Sequence, residues 1–143
     1  MTTLDRQLAQ AFRAARATEA GGWPCCPQCF DGLDVAPGYG AVKSHVALRR
    51  YYCQACRHQF SDLTGSPLQG CDRPLAVWAY LLLGGDARRL VIDRQSSAPA
   101  QLRAAAEKLA RTTFAQRWLP LLQRAELSLE RLQRRARLKR RTA

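Results

Sequence analysis

The sequence predicts a small α+β protein: an N-terminal helix, a compact unit of short antiparallel β hairpins that carries four cysteines, and a mainly helical C-terminal half. Three observations predict it. Apolar residues recur at helical spacing over residues 3–20; a stretch dense in Pro, Gly and Cys runs from residue 23 to about 67; helical texture resumes at "DRPLAVWAYLLL" and dominates from there. A chain of 143 residues can hold one domain, or two small modules sharing a modest core, since domains usually run to about 100–150 residues. The texture divides it into residues 1–22 (helix), 23–70 (hairpin unit), 71–125 (helical region) and 126–143 (basic helical tail).

In the first segment Thr3 is placed to cap a helix, and Leu4, Leu8, Ala11, Phe12 and Ala15 form its apolar stripe before Gly21-Gly22 stops it. The stripe is narrow, which predicts that the helix leans on another module or on a second copy. From Trp23, stretches such as "HVALRRYYC" mix β-formers with basic residues, the texture of a hairpin-built unit. Asp72 as cap and Pro74 in the first turn open the next helix, which runs to Gly84-Gly85. "DRQSSAPA" reads as a linker, residues 99–110 as a further helix, and the chain from about Thr113 as helix interrupted by Pro120 and continued into the tail.

Six cysteines are present, four of them in two pairs with a two-residue gap: Cys26-Pro-Gln-Cys29 and, after 23 intervening residues, Cys53-Gln-Ala-Cys56. A two-residue gap lets one tight turn bring both thiolates to a single metal, and a second such turn completes a tetrahedron. This is the ligand arithmetic of one structural Zn2+ in a closed four-cysteine shell, with no open position for catalysis. A disulfide framework belongs to secreted chains, and the N-terminus shows no secretory signal. A redox pair would sit beside a βαβ pattern, which neither pair has. Metal binding, worth roughly 10–16 kcal/mol, would supply the stability that about 40 residues cannot bury for themselves. Pro27 suits a knuckle turn, so Cys26 rather than Cys25 is the expected ligand; Cys71 reads as a small buried hydrophobe, and His45 and His58 as hairpin surface.

The charge is lopsided: 23 Lys plus Arg against 11 Asp plus Glu give +12, and 20 of the cations are arginine. Such an excess predicts a polyanionic partner, DNA first, because phosphate neutralisation releases counterions. Seven cations (Arg131, Arg134, Arg135, Arg137, Lys139, Arg140, Arg141) crowd the last thirteen residues as a phosphate grip with little sequence choice; the plain alternative is a solvated, solubilising end. In the hairpin unit Lys43, Arg49, Arg50 and Arg57 alternate with Tyr51, Tyr52 and Phe60, an arrangement suited to a nucleic-acid face. Tyr52 and Phe60 are expected to cover the metal, the arginines to contact the ligand. Leu122, Leu129 and Ala136 at sevenfold spacing, with Ala125 and Leu132 beside them, would make a short dimer seam. No run reaches the roughly 18 apolar residues of a membrane span.

"RRYYCQACRHQFSDLTGSPLQGCDRPLAVWAYLLL", Arg49 to Leu83, resembles the zinc-ribbon region of a group of bacterial insertion-sequence transposases. In that family a Cys-Pro-x-Cys knuckle is followed by an aromatic-flanked second knuckle, then Phe, Ser, a Thr-Gly-Thr-like element and a helix opened by Pro-Leu and carrying Trp. The counterparts are Cys26, Pro27, Cys29, Tyr52, Cys53, Cys56, Phe60, Ser61, Thr64, Gly65, Pro74, Leu75 and Trp78; the likeness spans roughly residues 23–85. Ser66 replaces the usual second Thr, and Phe30 the glycine common after the first knuckle. The resemblance implies a helix-turn-helix after the ribbon, which "AAAEKLARTTFAQRWLPLL" could supply, with Thr112, Thr113, Gln116 and Arg117 aimed at base edges; a plain helical hairpin fits the same residues. The family's nuclease domain is not expected: after residue 100 the only acids are Glu107, Glu126 and Glu130. The expectation is a DNA-binding regulator or accessory factor of mobile-element type, not an enzyme, in the bacterial cytoplasm at the nucleoid. Its alternative is an interaction adaptor, binding a protein partner or a second copy through the terminal helices.

Overall fold

The computed structural model describes every residue except 1, 20, 31, 41, 43, 44, 46, 72, 91–97 and 138–143. It is α+β, and it divides into two compact units, residues 1–72 and 73–143. Asp72, most of the linker and the end of the tail lie outside the described residues.

The first unit opens with α1, Thr3–Ala17. Its cap is Thr2, one residue earlier than expected, because Asp5 closes a capping box. The Thr2 hydroxyl accepts from the Asp5 amide at 3.1 Å, and the Asp5 carboxylate accepts from the Thr2 amide at 3.3 Å. Leu4, Leu8, Ala9, Ala11, Phe12 and Ala15 are all buried, so the narrow stripe is already covered within the chain. Three short strands follow, β1 (Val35–Pro37), β2 (Arg50–Cys53) and β3 (Gln59–Ser61), in an antiparallel sheet of order β1-β2-β3. Tyr51 stands opposite Phe60, and Tyr52 opposite Ala36 on one side and Gln59 on the other.

Strand alternation decides which aromatic is buried. With Cys53 turned inward, period two sends Tyr51 in and leaves Tyr52 half-exposed on the other face. The core beside the cysteines is therefore Cys26, Tyr51, Cys53 and Phe60, with Trp23 packed on it; of the two expected cover residues Phe60 is there and Tyr51 stands in for Tyr52. The Trp23, Tyr51 and Phe60 rings lie 5.3–5.9 Å apart between centroids.

Asp62, fully buried just after β3, ties α1 to this core. Its carboxylate accepts hydrogen bonds from the Tyr51 hydroxyl (2.6 Å), the Arg49 amide (2.8 Å) and the Trp23 indole (3.0 Å), and pairs with Arg13 of α1 at 3.3 Å. Arg16, also buried, donates to the carbonyls of Asp62 and Thr64, while its guanidinium sits 3.6 Å from the Trp23 ring centroid. A desolvated cation on an indole face is worth about 2 kcal/mol. Burial and the Asp62 bond push the Tyr51 phenol well above its ordinary pKa. His45, expected at the surface, is buried, with Nε2 2.9 Å from the Cys71 carbonyl oxygen. Cys71 itself is half-exposed.

In the second unit α2 (Leu75–Leu82) has six consecutive buried residues, Leu75 to Tyr80, as expected of a helix apolar on every side. It packs against α3 (Ala98–Ala110), α4 (Thr113–Arg124) and α5 (Leu129–Ala136). The loop leaving α2 folds over Tyr80, whose hydroxyl accepts from the Asp86 amide at 3.0 Å; a Cβ at Gly85 would collide with the ring.

Two expectations for the C-terminal region are corrected. α4 runs through Pro120 rather than breaking there: the ring costs a bond to the Gln116 carbonyl, but both residues lie on the exposed side, where solvent can replace that bond. The break comes instead at Glu126, whose φ of 51° turns the chain, and Ser128 caps a new helix. The proposed dimer seam is thereby split. Leu122, Leu132 and Ala136 are buried within the chain, and Leu129 remains partly exposed. No described helix is long and apolar enough to cross a membrane.

Candidate functional site

Two matching turns build the cysteine site. In the first knuckle the Phe30 amide donates to the Cys26 carbonyl at 2.9 Å; in the second the Arg57 amide donates to the Cys53 carbonyl at 2.7 Å. The second knuckle joins β2 to β3, and its Gln54 amide is held by the Asp34 carbonyl at 2.9 Å, just before β1. Both turns thus point their thiols at one place. The four sulfurs lie within 4.8 Å of one another, with Cys26–Cys56 and Cys29–Cys53 at 3.5 Å.

That geometry fits a tetrahedral ion. A metal–sulfur distance of about 2.3 Å puts tetrahedral sulfurs about 3.8 Å apart, whereas a disulfide needs about 2.05 Å. All six cysteines are free thiols. Burial raises the Cys26 thiol, but the Cys29 and Gln28 amides and the neighbouring sulfurs outweigh it and bring its pKa down to about 7. Cys26 and Cys53 are buried, Cys56 half-buried and Cys29 exposed, so the site lies at the edge of the unit. Cys25 and both histidines stand outside the cluster. All four candidate ligands are cysteines, a donor set that suits a closed tetrahedral site.

The residues expected to touch nucleic acid fall into two groups, one in each unit. Arg49 and Arg57 are exposed, and Arg50 is half-buried beside Tyr52. Lys43 lies outside the described residues, as do Lys139, Arg140 and Arg141. In the helical unit α3 and α4 are joined by Arg111 and Thr112 alone. Thr112 is the α4 cap: its hydroxyl accepts from the Ala115 amide at 3.1 Å and donates to the Leu109 carbonyl at 2.6 Å. Its polar group is thus engaged by backbone rather than presented outward. Thr113 and Gln116 share the exposed side of α4, Arg117 is half-buried, and Trp118 is buried. On α5, Arg131 and Arg134 are exposed and Arg135 half-buried, and Arg137, which caps its C-terminus, is exposed.

Sequence patterns did not single out further exposed cations of the same unit: Arg88, Arg89, Arg103, Lys108, Arg111 and Arg124. Arg89 and Arg134 line one cavity of about 700 Å³, but Asp86 and Glu130 line it too, so its charges balance and the exposed cations outside it carry the excess. Counting charge by unit would have found them. Residues 73–143 hold sixteen Lys and Arg against five acids, net +11; residues 1–72 hold seven against six, net +1. No protein-family model, no curated protein and no solved structure matches the chain.

Proposed function

We propose that the chain is a zinc-dependent DNA-binding protein of mobile-element type, a regulator or accessory factor without nuclease activity, acting at the bacterial nucleoid. One observation carries it: almost the whole net charge, +11 of +12, belongs to the helical unit, which exposes Arg103, Arg111, Arg124, Arg131 and Arg134 among its described residues. A unit of that charge density attracts phosphate backbone, and its contacts add affinity without choosing sequence. Zn2+ is the ion proposed for Cys26, Cys29, Cys53 and Cys56, on their donor chemistry and spacing. It would close the ribbon and supply no catalysis. The likeness of residues 23–85 to transposase ribbons supports DNA as the polyanion.

The adaptor reading relied on the apolar stripes of the terminal helices. Leu8, Phe12, Leu122 and Leu132 are all buried within the chain, so those stripes are not on offer to a partner. Titration of the zinc-loaded chain with a labelled mixed-sequence duplex tests the proposal. With six or more phosphate contacts, affinity should fall about a thousandfold between about 50 and 200 mM salt. Absence of duplex binding at the lower salt would overturn it.

A further inference from the structure

The face of the ribbon sheet turned away from the cysteines is unlike the rest of the first unit. A cleft of about 410 Å³ lies on it, lined among others by Pro37, Tyr39, Arg50, Tyr52, Gln54 and Gln59. The register explains the gathering. Along β2 Arg50 shares the side of Tyr52 by strand alternation, Gln59 and Ala36 flank Tyr52 across the sheet, and Gln54, in the knuckle turn just past the strand, lines the same cleft.

Tyr39 reaches the same cleft from the turn after β1. Gly38 lets that turn close on β2: its amide donates to the Arg50 carbonyl at 2.9 Å, and a Cβ there would lie 3.1 Å from the Tyr51 nitrogen. Tyr39 is 97% exposed, so its ring contributes almost nothing to the core.

We infer that this cleft is a stacking site for unpaired nucleobases, with Tyr52 as its floor and Tyr39 as its exposed flank. The inference rests on the nucleic-acid reading above and adds the form of strand that the ribbon takes. The lining decides between ligands. Among the described residues no Leu, Ile, Val, Met or Phe borders the cleft, so an aliphatic peptide segment finds little there to bury against. Two phenol rings and two carboxamides suit a flat, polar, aromatic ring instead: the rings offer faces, and Gln54 and Gln59 offer donors and acceptors to base edges. Arg50 in the cleft, with exposed Arg49 and Arg57 near in sequence, supplies the positive charge that a phosphodiester strand needs. The volume lies within the roughly 300–1,000 Å³ of ligand clefts. In duplex DNA both faces of a base are already stacked, so the site selects strand ends, bubbles or single strands.

The test uses the zinc-loaded full chain and three labelled probes: an oligothymidine of about 12 nucleotides, an abasic strand of the same length and charge, and a mixed-sequence duplex. The wild type should prefer the oligothymidine over the abasic strand by about tenfold or more, the size of one good stacked base. The double variant Y39A/Y52A should lose that preference while holding duplex affinity within about twofold, and Y52F, which keeps the ring, should retain it. Zinc content of one ion per chain reports that each variant is folded, and the wild-type comparison does not depend on the variants at all. Equal binding of oligothymidine and abasic strand with duplex binding intact overturns this inference and leaves the nucleic-acid reading standing; so does a preference that survives in a folded Y39A/Y52A. Failure to bind any probe at low salt removes both. Shifts of the Tyr39 and Tyr52 ring resonances on adding a proline-rich peptide, and none on adding oligothymidine, would make the cleft a peptide groove and overturn it.

Discussion

Phe30 and Arg57 hold the same place in the two knuckles: each follows the second cysteine of its pair, each donates its amide to the carbonyl of the first, and each has a positive φ, 60° and 65°. Such a backbone suits glycine and strains a side chain, which makes the two turns the strained parts of the metal site.

The first prediction follows from that strain. Phe30 is 80% exposed, so its ring gives back little for the conformation it is held in. Positive φ costs a residue of this kind on the order of 1–3 kcal/mol, against about 0.5–1 kcal/mol of chain entropy for glycine. F30G should therefore stabilise the zinc-loaded protein by about 0.5–1 kcal/mol in denaturant unfolding. A loss of stability would mean that the exposed ring holds something in place.

Metal removal should act on one unit. Stripping zinc, or replacing Cys56 by Ser, should collapse the dispersion of amide resonances from the sheet while those of α2 to α5 keep theirs. Joint collapse of all resonances would show that the two units fold as one.

Tyr51 gives a pH dependence with a definite sign. Burial first, then the bond to Asp62, raises the folded-state pKa of its phenol. Between the unfolded value, about 10, and the higher folded value, the native state binds more protons, so stability is full below pH about 10 and falls as pH rises above it. The Y51F variant should show a flatter decline in alkaline denaturation. An unchanged slope in Y51F would sink the assignment.

Thr112 and its neighbours separate capping from contact. T112A should cost about 1 kcal/mol of stability, the usual value of a lost N-cap, and leave duplex affinity alone in the folded protein. T113A and Q116A should leave stability within about 0.5 kcal/mol, as exposed substitutions do. Reduced duplex affinity in a folded T112A, read by anisotropy, would return that hydroxyl to the interface.

On α5, R131Q and R134Q should each weaken duplex binding about evenly across sequences and lower the log–log salt slope by about one. A sequence-dependent loss would instead place these arginines at base edges.

Much of this fold was legible because its signals are local. The cysteine pairs, Gly21-Gly22, the Pro74-Leu75 opening and the all-apolar "LAVWAYLL" each act within a few residues, and the structure places sheet and helices around them. Asp62 was not legible, since its partners Arg13, Trp23, Arg49 and Tyr51 are 11 to 49 positions away and no spacing rule connects them. The choice of Tyr51 over Tyr52 could have been made: once Cys53 faces the metal, alternation leaves no freedom. The break at Glu126 carried no Gly or Pro to announce it, so a continuous basic helix looked natural. The sulfur cluster was readable to the residue; the exposed arginines were not, because surface position depends on which face the packing leaves outside.

The Asp62 network also says where this chain can be cut. An excised ribbon beginning at Trp23 would keep all four cysteines but lose Arg13, the cation paired with a fully buried carboxylate, and Arg16, which covers the Asp62 and Thr64 carbonyls. Removing one partner from a buried pair costs about 3–5 kcal/mol, so the excised ribbon would hold its metal with a correspondingly smaller margin of stability. The stable metal-binding fragment therefore starts at Thr2 rather than at the first cysteine: the N-terminal helix braces the ribbon, written ahead of it in the chain.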